Sequence, residues 1–206
     1  TSWRDTILGE ISERVCVGFV GSTSKHYRDD GILFLRTKNV GRTGEVNLDD
    51  VKYITKEFHD STKKSQLKSG DVILSRVVTD RINCAFIPEK FPEANCANVV
   101  IVRPGLAVDS RFLVYYIKSR TSQNYLLSKR KGSAQLVVNT TIVKQWPVKI
   151  PPLEVQQQIV RELDVMVQQV SELMEISQNK SQHYLNLKQS ILQEAFNGNL
   201  TKEITA

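Results

Sequence analysis

Residues 151–198 read PPLEVQQQIVRELDVMVQQVSELMEISQNKSQHYLNLKQSILQEAFNG, and this stretch determines the architecture of the chain. Apolar side chains recur in it in alternating steps of four and three residues, which is typical of a helix that packs along a partner. The apolar seam consists of Ile159, Leu163, Met166, Val170, Leu173, Tyr184, Leu187 and Ile191, with Ser177 and Lys180 as polar interruptions. Pro152 suits a first helical turn and Gly198 a stop, so the pattern predicts a helix over residues 153–197.

Such a helix is about 65 Å long and exceeds what a small domain covers. We therefore expect a coiled-coil partner on the same or another chain, and we interpret the seam as a dimerisation surface. The alternative is a C-terminal helix docked along its own domain.

The amino-acid composition changes abruptly at the start of this predicted helix, near residue 153. The chain has 206 residues, which suits one globular domain with an appendage or two very small domains. Nine of the ten glycines and all six prolines precede residue 153. The part before residue 153 holds 24 basic and 15 acidic side chains, and the rest holds four and seven. We expect a boundary at Pro151-Pro152, with one domain over residues 1–150 and the helix with its tail over residues 151–206.

The first 150 residues read as a mixture of short strands and helices. Short β-branched runs bounded by Gly, Pro, Asn or Asp predict strands at 15–20, 32–36, 71–77, 82–87, 99–103 and 148–150. Helical spacing predicts helices at 110–119 and 122–127, and Asn139 is a candidate cap of another. The predicted class is α+β: a small mixed, largely antiparallel sheet domain with short helices, followed by one long C-terminal coiled-coil helix.

The charge of the chain favours a polyanionic partner. The formal net charge is +6, and residues 110–153 contain eight basic side chains and no acidic one. A basic cluster with a following Gly-Ser can contact phosphates, and Arg, Asn or Asp at strand ends can read base edges. The candidate DNA-binding residues are Arg36, Lys38, Asn39, Arg76, Thr79, Arg81, Lys129, Arg130, Lys131, Ser133 and Gln135. Each of them could equally be part of a solvated surface or a salt bridge.

Other classes of function lack the residues they need. Cys16, Cys84 and Cys96 form no CxxC pair, which favours reduced thiols, and the three histidines show no metal-ligand spacing. The stretch 18–25 (GFVGSTSK) lacks the spacing of a phosphate-binding loop, and no GxGxxG or GxSxG is present. We expect no catalysis, metal or cofactor in this chain. No apolar run approaches the ~20 residues that span a bilayer and no signal peptide precedes Thr1, so we expect a cytoplasmic protein.

In sequence order, several segments resemble the specificity subunits of type I restriction-modification systems over nearly the whole chain. These are Trp3 with residues 8–11, 21–24 (GSTS), 31–40 (GILFLRTKNV), 70–75 (GDVILS), 132–135 (GSAQ) with Asn139, 150–153 (IPPL) with Gln156 and Ile159, and 191–200 (ILQEAFNGNL).

The resemblance implies a noncatalytic protein that binds double-stranded DNA sequence-specifically. It implies assembly with methyltransferase subunits, which hold S-adenosylmethionine and methylate adenine, and with an ATP-dependent restriction subunit. Members of this family usually carry two recognition domains and two long helices that pair antiparallel. One of each is present here, which implies a half-subunit that pairs with a copy of itself, or a fragment of a longer chain. A self-contained dimeric DNA-binding regulator is the alternative, although no helix-turn-helix is found. A standalone transferase is a further alternative, but it would need its own cofactor-binding loop, and the sequence contains none of the motifs for one.

Overall fold

The computed structural model describes residues 2–78, 80–129 and 136–199. The strands are β1 (Arg4–Ile7), β2 (Ser12–Val17), β3 (Tyr27–Arg28), β4 (Ile32–Leu35), β5 (Lys52–Ile54), β6 (Val72–Ser75), β7 (Val77–Val78), β8 (Cys84–Phe86), β9 (Ala94–Cys96), β10 (Val99–Pro104), β11 (Leu136–Val137) and β12 (Pro147–Ile150). The α-helices are α1 (Lys56–Ser61), α2 (Ser110–Lys118), α3 (Arg120–Ser128), α4 (Thr140–Lys144) and α5 (Leu153–Phe196). The predicted α+β class, with one long helix at its C-terminal side, is confirmed.

The central sheet is antiparallel and has the strand order β2-β10-β6-β8. In β6, Val72 and Leu74 belong to one hydrophobic cluster and Ile73 to another. Successive side chains of a strand point to opposite faces, so this unbroken apolar run needs cover on both sides. Helices α2, α3 and α4 and strand β12 contribute to the first cluster, while Leu35 and Cys96 contribute to the second.

The second sheet has the order β3-β5-β4-β9, in which only the β4–β9 pair is parallel. A separate antiparallel pair joins β1 to β12, with Arg4 opposite Ile150. Strands β1, β3, β5, β9 and β11 fall outside the predicted strands. They are two to four residues long, so they carry too few residues for a period-two pattern to stand out.

Side-chain caps define where the short helices begin. Asp109 accepts hydrogen bonds from the backbone N–H groups of the first turn of α2, and Ser119 does the same for α3. The predicted cap at Asn139 is confirmed, because its Oδ1 accepts the N–H of Ile142 at 2.9 Å. The backbone N–H groups of a first helical turn have no hydrogen-bond acceptor within the helix. A side chain that accepts from them therefore stabilises a helix that begins at that residue.

The start of α5 is part of the domain core. The predicted helix over 153–197 is confirmed at Leu153–Phe196. One face of its first two turns is buried, with Gln156 fully enclosed and Val160 in the larger hydrophobic cluster. The Gln156 side chain accepts the N–H of Asp109 and donates to the carbonyl oxygens of Ala107 and Pro151, each at 2.9 Å. The first of the two compact units of the chain therefore includes the start of α5 and ends at Val160. The domain bounds 1–150 and 151–206 stay a prediction.

The second unit begins at Arg161, and its described part is the remainder of α5 with residues 197–199. Among these described residues, no second helix or strand packs on α5 to bury its apolar seam. Leu163 is half-buried, and the seam side chains that follow it are exposed: Met166, Val170, Leu173, Tyr184, Leu187 and Ile191. Ile159 lies before the division and packs at the edge of the larger cluster. Among the described residues, no helix is both long enough and apolar enough to cross a membrane.

Candidate nucleic-acid interface

A two-stranded antiparallel ribbon joins two of the sequence regions that carry candidate DNA-binding residues. Strand β7 pairs with β11, with Val77 opposite Val137 and Val78 opposite Leu136. The backbone N–H of Val138 also donates to the carbonyl oxygen of Arg76 at 2.7 Å. The strand end near Arg76 is therefore held beside the middle of residues 110–153, which contain no acidic side chain and which we call the acid-free stretch.

A concavity of about 290 Å³ with an excess of positive charge lies beside the loop at residues 80–83. Its charged lining residues are four cations and one carboxylate: Arg42, Arg81, Lys118, Arg120 and Asp80. We call these five residues and the space between them the basic concavity. They come from three separate parts of the chain, and tertiary folding brings them together.

Gln123 of α3 fixes the loop that carries Asp80 and Arg81. Its Oε1 accepts the N–H of Ile82 at 2.9 Å, and its Nε2 donates to the carbonyl oxygens of Ile82 and Ile117 at 3.3 and 2.8 Å. One side chain thus joins this loop to both α2 and α3. Arg81, which directly precedes Ile82, therefore extends from a backbone segment that these hydrogen bonds hold in place.

The turn that carries Arg42 packs against α2. Lys118 donates from Nζ to the carbonyl oxygen of Thr43, and Gly44 has a φ of +111°. A side chain at Gly44 would place its Cβ 2.9 Å from Cγ1 of Val114, so both the backbone conformation and the close approach require glycine. This close packing brings Arg42 into the basic concavity.

Asp80 is the acidic member of the basic concavity. The hydrogen bond from the backbone N–H of Arg81 lowers the pKa of Asp80, and the positive charges of Arg81 and Arg42 act in the same direction. Its carboxylate also lies 3.6 Å from Nε of Arg81, with both side chains exposed. An exposed pair of this kind is weak and can separate when a phosphate or a base edge approaches.

The predicted group at residues 36–39 lies outside the basic concavity. Arg36 donates to the backbone oxygen of Asp50 at 2.8 Å, and Lys38 forms an ion pair with the carboxylate of Asp50. Asn39 is 1% exposed; its Oδ1 accepts the N–H of Arg36, and its Nδ2 donates to the carbonyl oxygens of Asn47 and Asp50. The amide of Asn39 is therefore enclosed and holds the backbone of this loop, and base reading by Asn39 stays a prediction.

The remaining predicted residues have different positions. Lys129 is exposed, with Nζ 4.6 Å from the centre of the Tyr125 ring, whereas Arg76 is half-buried and does not line the basic concavity. Thr79, Arg130, Lys131, Ser133 and Gln135 lie outside the described residues. Sequence reasoning missed Arg42, and it counted Lys118 and Arg120 only among the eight basic residues of 110–153 that favour nucleic-acid contact, without naming them as candidate contacts. The one available signal was the GRTG turn at residues 41–44, which presents an arginine between two glycines.

The two buried thiols, Cys84 and Cys96, are not suited to nucleophilic chemistry. Burial raises the pKa of Cys84 to about 12, and burial also raises the pKa of Cys96 well above its usual value. A thiol with such a pKa stays protonated at neutral pH and is a poor nucleophile. In the described part of the chain, no group of three or more His, Cys, Asp or Glu side chains is arranged to hold a metal ion.

The fold and the site together define an α+β domain that presents a basic concavity and continues into a long helix. A family model for the type I restriction modification DNA specificity domain matches residues 22–183, and the chain belongs to this family. The resemblance stated from the sequence is thereby confirmed.

Two individual relatives are also named type I restriction enzyme specificity subunits. The chain is 28% identical over 208 residues to the type I restriction enzyme EcoBI specificity subunit of Escherichia coli, and 27% identical over 207 residues to the StySPI specificity subunit of Salmonella potsdam. Each alignment covers 98% of this chain but only 42% and 44% of those proteins. The chain thus spans less than half the length of these relatives.

Solved structures share the fold. One, from work on complex assembly and conformational transition of the type I R-M system, matches with a TM-score of 0.74 at 22% identity and covers 96% of this chain and 46% of that chain. The HsdS subunit from Thermoanaerobacter tengcongensis matches with a TM-score of 0.69 at 21% identity, covering 93% and 49%. Identities this low support the likeness in fold alone.

Proposed function

We propose that this chain recognises one half of a bipartite DNA target within a type I restriction-modification complex and docks the methyltransferase subunits of that complex. Its own contribution is recognition. Catalysis belongs to the methyltransferase subunits, which transfer a methyl group from S-adenosylmethionine to adenine, and to the restriction subunit. Membership of the specificity-domain family supports this assignment, as do relatives that are named specificity subunits.

The observation that carries the proposal is the basic concavity. Four cations and one carboxylate surround a space of about 290 Å³, where Gln123 fixes the adjoining loop. Clustered cations attract the phosphate backbone, and each neutralised phosphate releases counterions. Arginine also reads guanine edges in the major groove through two hydrogen bonds. This surface therefore combines a phosphate-binding charge with a side chain that can read sequence.

A bipartite target needs two readers. In the proposed complex, a second copy of the chain supplies the second reader, and the exposed seam of α5 holds the two copies together. In the described part of the chain, the apolar seam side chains from Met166 to Ile191 are exposed, which supports this arrangement.

Selection of duplexes from a random pool, followed by binding measurements at several salt concentrations, tests the recognition function. We expect an enriched motif for the intact chain. Replacing Arg42 and Arg120 together with alanine should weaken binding to that motif and reduce the slope of log affinity against log salt, by up to about 0.9 per lost phosphate contact. The matched control replaces Lys25 and Lys90, two exposed lysines outside the basic concavity, with the same loss of charge.

Equal losses in the two double variants would contradict the assignment of the basic concavity, because they would indicate general charge attraction. Failure to enrich any motif, both alone and with methyltransferase subunits present, would contradict the recognition function itself.

A further inference from the structure

The ribbon of β7 and β11 has one buried face and one exposed face. Val78 and Val138 are completely buried and belong to the larger hydrophobic cluster. Val77 and Val137 lie directly opposite each other in the ribbon, and they are 46% and 49% exposed. Successive side chains of a strand alternate between its two faces, so both exposed valines point away from the core on the same face.

The two exposed valines form one apolar surface, which we call the valine pair. The N–H of Val138 donates to the carbonyl oxygen of Arg76 at 2.7 Å, so Val77 and Val137 occupy the next, non-hydrogen-bonded position of the ladder. Cα atoms at such a position are only ~4.5 Å apart, which brings the side chains into contact range. The valine pair therefore presents its methyl groups side by side.

The loop that carries Val77 also carries Arg81 of the basic concavity. Two hydrogen bonds close the base of this loop: the N–H of Ser75 donates to the carbonyl oxygen of Asn83 at 2.9 Å, and the N–H of Asn83 donates to Oγ of Ser75 at 3.1 Å. Gln123 of α3 binds the same loop. The valine pair and Arg81 thus extend from one backbone segment that is held at several points.

The valine pair and Arg81 are close enough to contact the same short stretch of DNA. Arg81 follows Val77 by four residues in sequence. The Cα atoms of two residues at this separation are at most ~14 Å apart. Bases along a DNA strand are ~3.4 Å apart, so the two contacts fall within about four base pairs of each other.

The surroundings of the valine pair favour DNA over a protein as its partner. Strand β11 belongs to the acid-free stretch, and the loop of β7 contributes Arg81 to the basic concavity with its four cations. A stable protein interface buries about 800 Å² on each partner, far more than two half-exposed valines offer. The major groove of DNA admits a two-stranded β-ribbon, and the apolar group that it presents is the C5-methyl group of thymine.

We propose that the ribbon of β7 and β11 enters the major groove, where the valine pair contacts the C5-methyl group of a thymine. Val77 and Val137 are then specificity-determining residues. This contact rests on the proposed recognition function, and it adds a thymine-reading element to the loop that carries Arg81. Apolar contact with the methyl group distinguishes thymine from the other bases without a hydrogen bond.

Deoxyuridine substitution tests this contact, because it removes the C5-methyl group and leaves base pairing unchanged. Each thymine in the motif selected by the intact chain is replaced in turn, and dissociation constants are measured for the intact chain and for the double variant Val77→Ala with Val137→Ala. At one or two thymines, the substitution should weaken binding of the intact chain about fourfold, the loss expected for one buried methyl group. The double variant should bind the unsubstituted motif at least about fourfold more weakly than the intact chain. Deoxyuridine at the same positions should cause it no further loss, because both changes remove the same contact.

Two further readouts separate this role from charge and from folding. The slope of log affinity against log salt should be the same for the double variant and the intact chain, because valine neutralises no phosphate. Val20→Ala, at an exposed valine outside the ribbon, is the matched control and should retain both the affinity and the sensitivity to deoxyuridine. Thermal unfolding shows whether the variants are folded, and the deoxyuridine scan of the intact chain tests the contact without any substitution in the protein.

The possible failures are distinguishable. A motif that contains no thymine, or that binds equally well with deoxyuridine at every thymine, would overturn the thymine contact and leave the recognition function standing. Equal losses on deoxyuridine substitution in the intact chain and the double variant would assign the methyl contact to other residues. Unchanged DNA binding by the double variant together with lost copurification of a methyltransferase subunit would assign the valine pair to a protein interface. Failure to enrich any motif, both alone and with methyltransferase subunits present, would overturn the recognition function and the contact together.

Discussion

Arg103 and Asp71 form a bidentate ion pair in the interior of the domain. Nε and Nη2 of Arg103 donate to the two carboxylate oxygens of Asp71 at 2.7 and 2.8 Å, and Asp71 is completely buried. The same carboxylate accepts the backbone N–H of Lys68 at 2.8 Å. These hydrogen bonds raise the pKa of Arg103 and connect β10 to the turn that precedes β6.

Asp71→Ala should therefore lower the free energy of unfolding substantially. The change leaves the guanidinium of Arg103 and the N–H of Lys68 without their acceptor, and breaking a buried pair in this way costs about 3–5 kcal/mol. Urea denaturation measures the loss. Asp5→Ala removes the carboxylate of an exposed pair with Lys149 and should leave the stability unchanged within error. Equal stabilities of the two variants would contradict the structural role of Asp71.

Replacement of Lys129, Arg130 and Lys131 with alanine should weaken binding to all duplexes alike. Lys129 is exposed above the Tyr125 ring, and the triple change removes three cations from the acid-free stretch. The slope of log affinity against log salt should decrease by up to about one unit per lost contact. An unchanged affinity together with an unchanged slope would indicate that Lys129, Arg130 and Lys131 are solvated side chains that do not contact DNA.

Arg81→Ala should change which sequence is preferred. Arg81 extends from a backbone loop that Gln123 fixes, and loss of a bidentate contact to a base reduces discrimination by ~1–3 kcal/mol. Binding measurements on the selected motif and on its single-base variants give the discrimination at each position. A uniform loss at every position would assign Arg81 to phosphate contact instead.

The intact chain should self-associate through α5. Light scattering should give about twice 23.4 kDa at micromolar concentration. Leu173→Asp places a charge in the centre of the seam and should produce monomers, whereas Ser171→Asp, outside the seam, should not. A monomeric unsubstituted chain that needs no partner for solubility would contradict this prediction.

The DNA target should be an inverted repeat with a gap. A two-fold pair of identical readers imposes two identical half-sites. A helix of about 65 Å also exceeds one DNA turn of ~34 Å, so a few unread base pairs should separate the half-sites. Mapping methylated adenines after coexpression with the cognate methyltransferase tests the prediction. A contiguous motif, or two different half-sites, would rule out a homodimeric pair of readers.

The elements that sequence reasoning predicted well are those whose signals are local. Helix α5 was expected over 153–197 and is observed over Leu153–Phe196, because its repeat persists through many turns and Pro152 and Gly198 flank it. The strands β6 and β10 are apolar runs buried on both faces, which their composition already indicates. Asn139 caps α4 through a hydrogen bond to a residue three positions away.

The basic concavity, in contrast, depends on distant parts of the chain. Arg42 and Arg120 are about half of the first unit apart in sequence and line the same space because Lys118 binds the turn at Thr43. Asn39 illustrates the converse, since a polar strand-end residue that suits base reading is enclosed by backbone contacts from Asn47 and Asp50.

The long helix, the α+β class, the excess of positive charge before residue 153 and the family could thus be predicted from the amino-acid sequence. Which cations share a surface, where the first unit ends and what the first turns of α5 contact depend on tertiary packing. This difference follows from the range of the interactions. Helical periodicity and capping are written within a few neighbouring residues, whereas a charged concavity exists only after strands and loops far apart in sequence have packed together.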